Sequence, residues 1–184
     1  SNLFADEAIT PMAQVAGANA VLVDVRWPRA ATSALSAARE AGIPGLFDFD
    51  RPIEPADDTL VGLASHVAFS QAALAATADT ADPSLGLRRM AERSDAWLAV
   101  TVGSGGVYWL EGADVRHLPA FQVDVLDTVG AGDVFHGALA LALGEGQDEP
   151  AAVRFASAAA ALKCARAGGR AGAPSRQEVE QLLK

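Results

Sequence analysis

A glycine-rich turn followed at once by a carboxylate is the feature of this sequence best suited to chemistry. Gly130, Ala131 and Gly132 precede Asp133, and an apolar helical pattern then runs to Gly144. The alternating residues 121–126 before the turn predict a strand, so the glycines would lie where a strand leads into a helix. The first amides of a helix lack intrahelical acceptors and carry positive potential. They therefore favour phosphate or developing negative charge.

Proton transfer explains why a carboxylate would stand beside such an anion site. The charge of Asp133 would weaken a site that only binds phosphate. The carboxylate would help phosphoryl transfer if it accepts the proton of a hydroxyl group while the amides hold the phosphoryl group. The alternative is a structural turn in which Asp133 only complements the helix dipole. The longer string D-T-V-G-A-G-D-V-F-x-G at residues 127–137 favours catalysis, because short glycine motifs alone match by chance.

Other polar or glycine-rich segments follow predicted strands. They are Asp24 and Arg26, Asp48 and Asp50, Ser70, and the loop T-V-G-S-G-G at residues 101–106. In parallel sheets, ligands gather beyond the carboxyl ends of the strands, so we expect these segments near one site. Arg26 would either bind an anionic group of a ligand or pair with one of these aspartates.

Strand and helix patterns alternate along the chain. Strands are predicted at residues 20–25, 43–49, 67–69 and 96–102, and as an antiparallel pair at 107–110 and 115–118. Helices are predicted at residues 30–41, 55–66 and 85–92, from 70, from the glycine turn to 144, at 150–165 and from 175. This order predicts an α/β fold with helices on both faces of a mostly parallel, doubly wound sheet, in one domain over residues 1–184.

Composition excludes several classes of function. The net charge is −9, from 14 Lys and Arg against 23 Asp and Glu, which gives no support for nucleic-acid or anionic-membrane binding. No apolar run has the length of a membrane span and no signal-peptide pattern opens the sequence, so we expect a cytoplasmic protein. The single cysteine, Cys164, allows no internal disulfide and is expected to be a buried, inert thiol.

The string at residues 127–137 resembles the signature of the PfkB/ribokinase family of carbohydrate kinases. The resemblance implies a ribokinase-like three-layer α/β/α fold and ATP-dependent phosphorylation of a sugar hydroxyl. It implies that Asp133 is the catalytic base and that Gly130, Ala131 and Gly132 form the anion hole. The Gly-Gly segment and β-lid with which such kinases begin are missing from this sequence. The chain would then be the C-terminal portion of a kinase domain, and a homodimer would depend on the lid.

The same resemblance implies the nucleotide and metal residues. Those along ATP would be Thr101, Gly103, Ser104 and Gly106, with Thr128 beside the phosphates and Ala161 and Gly169 at the adenine. Asp127, with the loop at residues 169–172, would supply oxygens to a K⁺ ion. Mg²⁺ would accompany ATP. The family's N-x-x-E pattern after the third strand is replaced here by S-Q-A-A, with Ser70 as the cofactor-binding residue, so the metal would rely on phosphates and water.

Strings outside the signature most resemble the branch of the family that phosphorylates 6-deoxy-6-sulfofructose. They include D-V-R-W at residues 24–27, H-V-A-F-S at 66–70 and A-L-K-C-A-R-A-G-G-R-A-G at 161–172. This implies formation of the sugar 1-phosphate, with Arg26 and Asp133 at the substrate. The alternatives are a fructose, ketohexose or ribose kinase, and a non-catalytic nucleotide- or sugar-binding relative. Asp133 counts against a pure binder. A Rossmann-type dehydrogenase is disfavoured, since a hairpin pattern follows T-V-G-S-G-G.

Overall fold

The computed structural model describes residues 15–52 and 56–184, and the strands within them form a single sheet. The strands are β1 (Val21–Asp24), β2 (Gly45–Phe49), β3 (His66–Ser70), β4 (Trp97–Thr101), β5 (Val107–Glu111) and β6 (Asp114–Leu118). They lie side by side in chain order. The first four are parallel, while β5 and β6 are antiparallel to their neighbours. The predicted mostly parallel sheet and its terminal hairpin are confirmed.

Helices cover both faces of this sheet. They are α1 (Pro28–Ala41), α2 (Ala56–Leu63), α3 (Gln71–Ala78), α4 (Pro83–Ala91), α5 (Ala131–Gly144), α6 (Glu149–Cys164) and α7 (Arg176–Leu182). One apolar core lies under α1 to α4, and a second lies under α5 to α7. The side chains of β2 alternate between them, with Phe47 and Phe49 in the first core and Leu46 in the second. The predicted α/β/α layering is confirmed.

Local sequence signals explain where several helices begin and end. Pro28 is at the first turn of α1, and Gly42 closes that helix in the left-handed conformation at φ 67°. The Ser70 side chain caps α3 by accepting the Ala73 amide. Ser175 and Glu178 form a capping box at the start of α7, where a helix was predicted.

Two predictions about the elements were wrong. Residues 121–126 form no strand, and the amides of Leu126 and Asp127 both donate to the carbonyl of Cys164 instead of to a neighbouring strand. The apolar residues Phe121, Val123 and Val125 instead line a pocket, together with Gln122. The helix expected over residues 55–66 ends at Leu63, since His66 begins β3; position 55 lies outside the described residues. No helix of the described residues is both long and apolar enough to traverse a bilayer.

Candidate active site

The N-terminus of α5 is the centre of the site. Gly130 precedes the helix at φ 79°, in the left-handed region. The Ala131 amide donates to the Thr128 carbonyl at 3.1 Å, which closes the turn. The amides of Gly132 and Asp133 lie in the first helical turn, where no intrahelical carbonyl is in reach. These two amides, more than that of Ala131, are free to bind an anion.

A pocket of about 420 Å³ lies on one side of this helix end, and we call it the donor pocket. It brings together most of the residues that the resemblance assigned to ATP or to the anion hole, namely Thr101, Gly103, Ser104, Gly106, Thr128, Ala131, Gly132 and Ala161. The segment 120–125 and the α6 residues Ala160 and Cys164 complete the lining. Cys164 is therefore partly exposed and not fully buried as expected. An extended ligand with an apolar end and an anionic end would fit such a pocket.

Gly106 shapes the entrance to the donor pocket. Its φ is 93°, and a Cβ placed there would lie 2.0 Å from the carbonyl oxygen of Leu118. No side chain fits this position, so the glycine allows the loop to pack against the end of β6. Gly103, also at positive φ, has no atom within 4 Å of a built Cβ and faces open space.

Two predicted cofactor residues lie beside the donor pocket instead of lining it. The Ser70 hydroxyl donates to the Asp50 carbonyl at 2.9 Å while it caps α3, and β3 pairs Ser70 with Thr101. Gly169 packs against the glycine turn, because a Cβ on Gly130 would lie 3.5 Å from the Gly169 Cα. Both residues thus support the loops that form the pocket.

A second pocket, of about 430 Å³, lies on the other side of the same helix end, and we call it the acceptor pocket. Its polar lining consists of Asp24, Asp48, Asp133 and His136, and its apolar lining comes from β1 and α1 and includes Trp27. Asp133 is exposed and belongs to this pocket, whereas Ala131 and Gly132 belong to the donor pocket. The helix end therefore presents amides to one ligand and a carboxylate to the other.

A buried pair, Asp48 and His136, forms the floor of the acceptor pocket. Strand alternation turns Asp48 towards α5, where its Oδ2 lies 3.1 Å from His136 Nδ1. The contact has ion-pair distance but not hydrogen-bond geometry, and Asp48 Oδ1 and both His136 nitrogens have no hydrogen-bond partner among the described residues. A histidine in such an apolar helix pattern predicts packing and no more. Its i, i+3 spacing from Asp133 was the available signal that both share a helix face.

Arg26 lies at the rim and does not line either pocket. Its guanidinium contacts Asp24 Oδ2 at 2.5 Å and Asp50 Oδ2 at 3.0 Å. The hydrogen bond and charge of Asp24, followed by the charge of Asp50, raise the pKa of Arg26. This is the ion-pair alternative set out above, and anion binding by Arg26 stays a prediction.

Asp127 is a junction between loops. Its Oδ1 accepts the Val129 amide and its Oδ2 accepts the Gly168 amide, each at 2.9 Å. The Val129 hydrogen bond is the main cause of a lowered pKa for Asp127, and a hydrogen bond from Lys163 adds to it. Across the described residues, no group of three or more His, Cys, Asp and Glu side chains could hold a metal ion.

The structure is an α/β protein with two pockets on either side of one helix end. The sequence model of the pfkB family carbohydrate kinase matches residues 7–176. Ribokinase of Bacillus subtilis (strain 168) is 47% identical over 88 residues, which are 48% of this chain and 30% of that protein.

Two solved structures are similar over nearly the whole chain. The crystal structure of a proposed ribokinase from Agrobacterium tumefaciens has a TM-score of 0.91 at 40% identity and covers 98% of this chain and 60% of that one. Arabidopsis thaliana ribokinase, complexed with ribose and ATP, has a TM-score of 0.85 at 25% identity. The match covers 94% of this chain and 58% of that one.

The chain belongs to the pfkB family of carbohydrate kinases. It spans less than two thirds of the length of these relatives. The relatives described are ribokinases, so they support the family and leave its sulfofructose branch as a proposal.

Proposed function

We propose that the chain is the nucleotide-binding and catalytic-base portion of a carbohydrate kinase domain, which transfers the γ-phosphoryl group of Mg–ATP to a sugar hydroxyl. One observation carries the proposal. Consecutive residues of a helix end face different pockets, with Ala131 and Gly132 in the donor pocket and Asp133 in the acceptor pocket. A group passing from one pocket to the other must cross the positive end of α5.

The residues have separate roles in this transfer. The Asp133 carboxylate accepts the proton of the sugar hydroxyl. As it does so, the hydroxyl oxygen attacks the γ-phosphorus, and the bond between that phosphorus and the ADP oxygen breaks. The amides of Gly132 and Asp133 hold the negative charge that spreads over the transferring group. Bound magnesium neutralises phosphate charge, and the apolar lining contributed by Phe121, Val125 and Ala160 holds the base of the nucleotide.

The lining of the acceptor pocket favours a polyhydroxylated ligand. The carboxylates of Asp24 and Asp133 are accessible from this pocket, and sugar hydroxyls can donate hydrogen bonds to their oxygens. Three carboxylates in the lining disfavour an anionic ligand. We therefore propose an uncharged sugar, with ribose as the first candidate because a similar structure contains it. The second candidate is 6-deoxy-6-sulfofructose, whose sulfonate would have to compete with Asp24 and Asp50 for Arg26.

An assay of ADP release tests the proposal. The full-length protein is given Mg–ATP with ribose, fructose, fructose 6-phosphate or 6-deoxy-6-sulfofructose. We expect turnover that needs Mg–ATP and is fastest with an uncharged sugar. Preference for the sulfonated sugar that is lost in Arg26→Gln would support the second candidate. ATP binding without turnover on any sugar would contradict the kinase and favour a nucleotide-binding relative. Light scattering on the same sample tests the predicted homodimer.

A further inference from the structure

Lys163, in the last turn of α6, is a fully buried cation beside the glycine turn. Its side chain has no solvent exposure. Its Nζ donates to the Asp127 carbonyl oxygen at 2.8 Å and lies 3.2 Å from Asp127 Oδ2. A buried ammonium is tolerated only when it is paired and hydrogen-bonded, so these contacts fix the group in place. Nothing in the sequence analysis pointed to this residue.

The contacts of Lys163 and Asp127 join three segments around the anion site. The carboxylate holds the amides of Val129, next to the glycine turn, and of Gly168, in the loop after α6. The ammonium neutralises that carboxylate from inside the protein. Gly169, the next residue of the loop, packs against Gly130. The position of the free helix amides thus depends on a cation that the chain itself supplies.

The residues do not fit the K⁺ ion that the resemblance implied. Both the main-chain oxygen and Oδ2 of Asp127 already face the Lys163 ammonium. The carbonyl oxygens of Gly168 and Gly169 accept the Gly172 amide at 2.8 and 3.2 Å. A second cation on these oxygens would lie next to the Lys163 ammonium, and the two positive charges would repel each other.

We propose that Lys163 is a positioning residue that takes the place of a monovalent cation, so that nucleotide binding and phosphoryl transfer proceed without K⁺. The inference rests on the proposed kinase function. Its expected signature is a protein whose thermal midpoint and Mg–ADP affinity are the same in potassium and tetramethylammonium chloride at equal ionic strength. Lys163→Ala, which opens a cavity beside Asp127, is expected to acquire a requirement for K⁺.

The experiment measures Tm and the Kd for Mg–ADP in both salts for three full-length proteins. For the wild type we expect less than a twofold difference in Kd between the salts. Lys163→Ala should bind Mg–ADP about tenfold more weakly in tetramethylammonium and recover in potassium. Lys163→Met, which fills the same space without a charge, should be weakened in both salts and should not recover.

Two results would overturn the inference. One is a wild-type protein whose Tm rises and whose Kd falls tenfold in potassium alone. The other is a Lys163→Ala protein whose loss does not depend on the salt. If Lys163→Ala does not fold, the wild-type comparison still decides the question. Failure of Mg–ADP binding by the wild type in both salts would reject the kinase function, while its Tm would still report whether K⁺ binds.

Discussion

The donor and acceptor pockets are similar in size but differ in how they are built. Backbone loops and small or apolar side chains form most of the donor pocket, and its lining comes from the segments 101–107, 120–135 and 157–164. Charged or polar side chains of β1, β2 and α5 meet in the acceptor pocket. In the proposed phosphoryl transfer, the nucleotide side therefore depends on local backbone geometry. Selection of the proposed acceptor depends on side chains that only the folded chain brings together.

The largest effect on stability is expected when Gly106, in the loop of residues 101–106 beside the donor pocket, is replaced by alanine. Gly106→Ala would place its Cβ 2.0 Å from a backbone oxygen, at φ 93°. We expect a loss of roughly 3 kcal/mol in the free energy of unfolding, measured by urea denaturation. Gly103→Ala is the matched control because its Cβ meets nothing within 4 Å, and it should cost about 1 kcal/mol. Equal losses in the two variants would refute the close approach at Gly106.

A substitution at His136 should affect only the acceptor side. His136→Leu keeps the bulk but removes the ring nitrogen that lies 3.1 Å from Asp48 Oδ2 in the lining of the pocket. We expect the acceptor KM to rise about tenfold while the Kd for Mg–ADP stays within about twofold, as measured by steady-state kinetics and calorimetry.

His117→Leu is the matched variant on the side of the donor pocket. The Nε2 of His117 lies 2.7 Å from the carbonyl oxygen of Gly105, in the loop of residues 101–106 beside the donor pocket. The affinity for the nucleotide should therefore change, and the KM for the acceptor should not. The comparison of the two pockets fails if both variants alter both constants alike.

The smallest effect is expected at the contact that holds α7 against the end of α6. Hydrogen bonds from the Arg166 guanidinium, then from Ser175, lower the pKa of Glu178 from 4.5 to about 2. A lowered pKa stabilises the fold above pH 4.5, and this stabilisation is lost as the pH falls towards 2.

We therefore expect Glu178→Gln to lower Tm slightly at pH 7 and to lose less further stability than the wild type as the pH falls from 4.5 towards 2. The effect is small because both side chains are partly exposed. An equal fall in the Tm of both proteins between pH 4.5 and pH 2 would contradict the contact. Thermal scans at several pH values make the measurement.

Local signals in the sequence predicted much of the donor side. Glycines at the start of a helix or before a hairpin indicate a turn without reference to distant residues. For this reason T-V-G-S-G-G and the turn before Asp133 could be recognised in the sequence, and residues of both line the donor pocket. The same reasoning failed for residues 121–126, because an alternating pattern can also occur in an irregular segment whose apolar residues line a pocket.

Contacts between distant side chains could not be predicted in this way. Asp48 and His136 are 88 positions apart, and only the packing of α5 on β2 brings them together. Lys163 lies in an alanine-rich helix whose sequence gives no sign that one turn points at Asp127. Such pairs follow from the packing of complete layers, which no local pattern encodes.

In the proposed mechanism the first turn of α5 serves two ligands, with its amides facing the donor pocket and Asp133 facing the acceptor pocket. The most direct test compares Asp133→Asn with the wild type in two measurements, kcat with the preferred sugar and Kd for Mg–ADP. We expect kcat to fall by at least about a hundredfold, because the base is lost. Nucleotide affinity should be unchanged or slightly tighter, because a nearby negative charge is removed. A variant that keeps kcat within about tenfold of the wild type, or that loses nucleotide binding, would contradict this division of roles.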